Sequence, residues 1–151
     1  MKKLLFALFA LFATSTFADE KAAIEGFKKE VTDFKTWSDE KEKSFKSPAD
    51  GLAAFGEMGA KIKAIKTEGL PADLKEPWDA MLVSLAQMVA LLEKFPKDAA
   101  EIEKKFADQD FMKEFGAKAD AIQEALKPNI EKLKEAGKKY GIEGLENFGP
   151  K

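Results

Sequence analysis

Apolar residues recur at steps of three and four along most of the chain, the spacing that gathers side chains on one face of a helix. Ile24, Phe27, Val31 and Phe34 open the series. They predict a first helix over Asp19 to Phe45, with a stripe that weakens where Ser38 and Lys41 stand in apolar places and Trp37 extends it sideways. Ser47-Pro48-Ala49-Asp50 is a restart: Ser47 can cap, Pro48 suits the first helical position, and Asp50 favours the positive helix end. Leu52, Phe55, Met58, Ile62 and Ile65 then mark a second helix, with Gly69 as its stop signal. A two-proline connection runs from Leu70 to Pro77.

The third helix is predicted from Pro77 to Phe95, carried by Trp78, Met81, Leu82, Leu85, Met88, Val89 and Leu92. Between Ala80 and Leu92 only Ser84 and Gln87 are polar. An element apolar nearly all round is buried on more than one side or presents a patch to a partner. Pro96 breaks the chain and Asp98 can cap the next helix. A fourth run starts with Ile102 and Phe106, pauses at Asp108-Gln109-Asp110, and resumes through Phe111, Phe115, Ala119, Ile122, Leu126, Ile130, Leu133, Gly137 and Tyr140. Pro128 inside it is expected to kink the helix. In the tail, Ile142, Leu145 and Phe148 recur every third residue, which predicts a fold-back over one end of the molecule. No stretch alternates with period two. The fold class read from this pattern is all-α, one domain from 19 to 151, an antiparallel up-down four-helix bundle. The alternative is five helices, with the last run divided at Asp108 to Asp110.

The first eighteen residues have a different character. Lys2 and Lys3 precede an apolar run from Leu4 to Ala13, and Thr16-Phe17-Ala18 meets the small-x-small rule for signal peptidase. The run is about 10 residues, against the ~20 of a spanning helix. These features predict a Sec signal peptide cleaved after Ala18, no stable membrane insertion after cleavage, and a periplasmic or secreted bacterial protein.

Composition then removes chemistries. Among 151 residues there is no His and no Cys, and all 25 basic residues are Lys. Zinc sites of the Cys/His kind, thiol nucleophiles, histidine bases, disulfides and covalent c-type haem are excluded. Bidentate recognition by Arg is excluded too. A net charge of −2 argues against nucleic acid, whose phosphates call for dense positive charge.

With its short export signal, its helix lengths and the Ala/Lys/Leu texture of Leu52 to Lys66 and Trp78 to Glu93, the chain resembles small exported four-helix bundles of the cytochrome b562 and cytochrome c′ type. That resemblance implies the fold. In that family haem is held by Met and His, or attached through Cys-x-x-Cys-His. The last helix here, through Glu135-Ala136-Gly137-Lys138-Lys139-Tyr140, offers no His, so the electron-transfer role and the family's site residues do not carry over.

Other candidate chemistries are weak. Met81 and Met88 share a helix face and could serve a soft metal, yet Met58, Met81, Met88 and Met112 all sit on core stripes, where Met is an ordinary gap filler. Asp108-Gln109-Asp110 could begin a calcium loop but lacks the later Gly and Glu, so it reads as a cap. Ser38, Lys41, Ser84 and Gln87 are the polar groups expected inside, and Lys41 there reads as a snorkelling side chain. The acidic residues mostly alternate with Lys, as on a solvated surface. Ala53, Gly56, Gly59 and Ala60 make one side of the second helix unusually small. Each internal glycine costs about 1 kcal/mol against Ala. The expected offset is close packing against Trp78 or Trp37, or else a slot for an apolar ligand. The functional expectation is a cofactor-free protein, not an enzyme, that acts by binding a protein partner or a small apolar molecule, the alternative being a redox or metal carrier. Its working surface is placed at Gly56, Gly59, Trp78, Met81, Ser84 and Gln87, with a homodimer through the third helix as one form of partner.

Overall fold

Five helices make up the computed structural model: α1 (Lys2–Glu42), α2 (Pro48–Ala64), α3 (Ala72–Leu92), α4 (Ala99–Ala107) and α5 (Gln109–Tyr140). The structure describes residues 2–96 and 98–145, and their side chains except at 2–18, 48, 49 and 99. No strand occurs among the described residues. The all-α expectation holds, and the chain divides into five helices, the alternative with its break at Asp108 to Asp110. The cause is Asp108. Its extended backbone ends α4, and its carboxylate accepts the Phe111 N–H at 3.0 Å, which starts α5. A side chain that satisfies a helix start competes with continuation of the helix before it.

Other boundaries arise from the same local chemistry. Ser47 and Asp50 form a reciprocal capping box at the start of α2: the Lys46 and Ser47 amides donate to Asp50, each at 2.9 Å, and the Asp50 amide donates to Ser47 Oγ. α2 ends at Ala64 with Ile65 extended, earlier than Gly69. Gly69 instead makes the next turn at φ +78°, where a Cβ would lie 3.2 Å from Ala23 Cβ. α3 begins at Ala72, before the expected Pro77, which lies inside the helix in its second turn and forfeits one backbone hydrogen bond there. Pro128 lies inside α5, which runs unbroken to Gly141. α1 is also continuous across Ala18. Thr14 to Asp19 contains neither Gly nor Pro to stop it. Among the described residues no helix is long and apolar enough to cross a membrane.

Contacts near their ends set α1 against α2, α2 against α3 and α3 against α5 in opposite directions. Lys41 pairs with Glu57 at 2.8 Å, and the Lys66 amide donates to Glu30 at 2.7 Å, so α2 descends beside α1. Leu52 and Phe55 of early α2 lie beside Leu92 of late α3. Asp73 at the start of α3 meets Lys139 and Tyr140 at the end of α5. The main core joins Phe27 and Val31 of α1, Leu74, Trp78 and Met81 of α3, and Ile130 and Leu133 of α5. Trp78 is fully buried, with Phe27 edge-on to it at 4.8 Å. The α1 stripe fades earlier than its sequence predicts: Phe34, expected on it, is half-buried like Ser38.

The tail folds back. Gly141 turns the chain at φ +64°, the Ile142 amide returns to the Gly137 carbonyl at 2.8 Å, and Ile142 and Leu145 enter the core. Phe148 lies outside the described residues. A second apolar centre holds the far end, where Phe95 meets Phe106, Phe111 and Phe115 with ring centroids 5.0 to 5.3 Å apart.

Candidate functional site

The expected site residues divide between two faces of the α2–α3 pair. At 100° per residue, Met81, Ser84, Leu85, Met88 and Leu92 point one way from α3, while Val83, Ala86, Gln87 and Ala90 point away from them. The inner face, together with Leu52, Phe55, Met58 and Ile62 of α2 and Ile122, Leu126 and Ile130 of α5, encloses a cleft of about 520 Å³. Phe106 of α4 stands over one end. Three methionines from two helices line this space, and flexible thioethers adapt to ligands of irregular shape. No charged side chain borders it.

Polarity in the cleft comes from Ser84 and Gln123. Ser84 is the buried polar residue of the described core, and its Oγ lies 3.4 Å from the Ala80 carbonyl. That bond is long. The hydroxyl therefore keeps strong accepting capacity and can turn to donate into the cleft. The cleft continues outward: a second hollow of about 600 Å³ shares Leu52, Phe55 and Leu92 with it and extends to Phe95 and Ile102. These three shared side chains form the wall between the two spaces.

The outer face is an open groove of about 440 Å³ that includes Gly56, Gly59 and Ala60 of α2 and Leu82, Val83 and Val89 of α3. The expected packing of the glycines against tryptophan is not found. A Cβ at Gly59 would touch Val89 at 3.3 Å, and one at Gly56 would meet nothing within 4 Å. Trp78 is committed to the core with Phe27, and Trp37 lies against Phe34 and under the Lys61 ammonium. Val89 is the side chain that faces Gly59 across the α2–α3 seam.

Met81 and Ser84 thus belong to the cleft, Gly59 to the groove, Gly56 to both the groove and the 600 Å³ hollow, and Trp78 to the core. Gln87 is exposed and borders neither space. Lys41, Ser84 and Gln87 do not converge: Lys41 is at the surface, paired with Glu57. The sequence pointed to α3's share of the cleft, and its regular α5 stripe at Ile122, Leu126 and Ile130 was the available sign of the opposite wall.

The electrostatic features lie elsewhere. Lys139 and Tyr140 donate to the Asp73 carboxylate at 2.5 and 2.8 Å, and the Lys139 hydrogen bond, then that of Tyr140, holds its pKa below the ordinary carboxylate range. The same contact raises the Lys139 ammonium above its ordinary value. This cluster is polar and exposed, and it pins two helix ends. Asp108 is a cap, as expected. Among the described residues no group of three or more carboxylates comes together as a cation site. Neither haem attachment of the cytochrome-like bundles can be assembled, because no imidazole or thiol exists in the sequence. The chain matches no protein-family model, no curated protein and no solved structure.

Proposed function

We propose that the protein is an exported, cofactor-free carrier or receptor for a small apolar molecule, held in the cleft between α2, α3 and α5. The observation behind this reading is the charge-free cleft of about 520 Å³ with a single buried hydroxyl. Ligand sites are typically about 300–1,000 Å³, apolar, with few polar groups that fix orientation. The preferred ligand is a medium-chain or compact cyclic molecule with one hydroxyl or carbonyl directed at Ser84. Acids and ammonium ions are disfavoured, because burying an unpaired charge there costs several kcal/mol. Export is supported by the Lys2-Lys3 start, the short apolar run and Thr16-Phe17-Ala18. The four-helix arrangement suggested by the cytochrome-like texture corresponds in this reading to α1, α2, α3 and α5, with α4 a short lid segment beside them.

Calorimetric titration with decan-1-ol tests the reading. Saturable one-to-one binding with a negative heat-capacity change is expected, and Ser84→Ala weakens the alcohol without affecting decane. Absence of saturable binding for both compounds contradicts it.

A second reading, a carrier of a soft monovalent metal, has one observation in its favour: Met58, Met81 and Met88 border the same cleft. Thioethers suit Cu(I), but no carboxylate offsets the cation's charge, so the neutral ligand is preferred. Titration with Ag(I) followed by methionine methyl NMR shifts separates the two.

A further inference from the structure

The cleft is longer than it is wide. Its lining runs along α3 from Met81 to Leu92 and along α2 from Gly51 to Ile62, a span of about 17 Å on each helix at the rise of an α-helix. A volume of about 520 Å³ over that length leaves a mean cross-section of about 30 Å². That is room for one hydrocarbon chain and too little for two side by side. The two ends differ. Ile62, Met81 and Ile130 close one end within the main core, and Ser84 lies about one turn along α3 from Met81. Leu52, Phe55 and Leu92 stand at the other end, where the hollow of about 600 Å³ begins. All three are half-buried and none belongs to the packed core, so their side chains can turn aside. Beyond them the hollow is apolar except for the exposed Glu93 at its rim.

We propose that the ligand is a neutral single-chain amphiphile, an unbranched long-chain alcohol or carbonyl compound, that occupies both spaces. This rests on the reading of the cleft as a ligand site and names the ligand's class. The oxygen sits at Ser84, near the closed end. The tail passes Leu52, Phe55 and Leu92 and ends in the hollow beside Phe95 and Ile102. A compact molecule would leave much of the slot's wall without contact atoms, and those dispersion contacts would be forfeited. An extended chain meets the wall along its whole length. Because the oxygen is held at the closed end, every added methylene lengthens the tail toward the open one. Each burial of a CH₂ tightens binding about fourfold, and the gain continues while apolar wall remains to be met. The hollow supplies that wall beyond the cleft. Two-chain lipids are excluded by the cross-section.

Calorimetric titration of the protein with alkan-1-ols from octan-1-ol to hexadecan-1-ol, delivered from cyclodextrin complexes, tests this. Affinity corrected for the cyclodextrin is expected to rise about fourfold per CH₂ through hexadecan-1-ol. Ala53→Trp and Ile102→Trp fill the hollow from α2 and α4. They leave decan-1-ol binding unchanged and remove the gain beyond dodecan-1-ol. Ala53 is exposed and borders the hollow but not the cleft, so its variant keeps the fold even where that of the buried Ile102 does not, as circular dichroism checks. Ser84→Ala weakens every alcohol by the same factor, because the oxygen stays in one place whatever the tail. Affinity that levels off at dodecan-1-ol in the unmodified protein overturns the proposal and leaves the cleft as a ligand site. So does a folded hollow variant that weakens short and long alcohols equally, or a Ser84→Ala effect that changes with chain length. No saturable binding of any alcohol rejects the reading of the cleft itself, and the proposal with it.

Discussion

Glycines show at the residue scale how one chemical change acquires different signs. Gly56 is helical and exposed, with open space where its Cβ would be. Gly56→Ala is expected to stabilise the fold by about 1 kcal/mol, the helix-propensity difference. At Gly137 the added Cβ would lie 3.1 Å from Leu145 Cβ and 3.3 Å from the Ile142 carbonyl oxygen. Part of that contact is backbone, which cannot swing aside. Gly137→Ala is therefore expected to destabilise, by about 1–3 kcal/mol, as overpacked sites do. Gly59, with only Val89 Cγ2 at 3.3 Å, falls between them. Urea denaturation of the three variants at low protein concentration gives the order. Equal effects would show that the tail does not press on Gly137. None of this was visible in the sequence, where the three glycines stand in similar helical surroundings. What distinguishes them is the tertiary neighbour.

At the scale of elements, the readable features were those written in adjacent residues. Ser47-Pro48 with Asp50, and Asp108 before Phe111, announce helix starts because capping is local chemistry. The repeat of Ile142 and Leu145 announced the tail's return. The clasp of Asp73 by Lys139 and Tyr140 was not readable, since these residues lie 66 and 67 positions apart. Likewise the stripes of α2 and α3 gave the site residues but not the division of those residues between cleft and groove. That division is set by which side of the α2–α3 pair each residue faces once the helices are packed. The clasp has a pH signature. Asp73 is acidified relative to its ordinary 3.8, so its contribution is present above about 3.8 and disappears as pH falls through its lower folded value. Lys139 is shifted up from 10.5, so its contribution disappears as pH rises beyond that. Asp73→Asn should lower the melting temperature throughout the interval between, and its curve should approach that of the unmodified protein as pH falls through the lowered value of the folded carboxyl. The loss is small because both side chains are largely solvated, 60% and 45% exposed. A constant offset down to pH 2 would show that the carboxylate's charge is not what joins α3 to α5.

Across the whole molecule, the two tightly packed regions lie at opposite ends. One gathers Phe27, Trp78, Leu133 and the returning tail; the other gathers Phe95 with the phenylalanines of α4 and α5. Between them the packing of α2 against α3 and α5 is incomplete, and the cleft occupies that gap. The proposed ligand would meet shape, apolar surface and the hydroxyl and amide groups of Ser84 and Gln123 there, since no charged side chain borders the cleft. The most direct measurement is a Nile red titration, because this neutral dye fluoresces strongly only when taken out of water. One saturable site per chain is expected, with decan-1-ol displacing the dye and Leu85→Trp or Gln123→Trp, which fill the cleft from two different helices, removing the site while helical circular dichroism is retained. Unsaturable fluorescence, or a saturable signal that survives in both folded tryptophan variants, would contradict a ligand site between α2, α3 and α5.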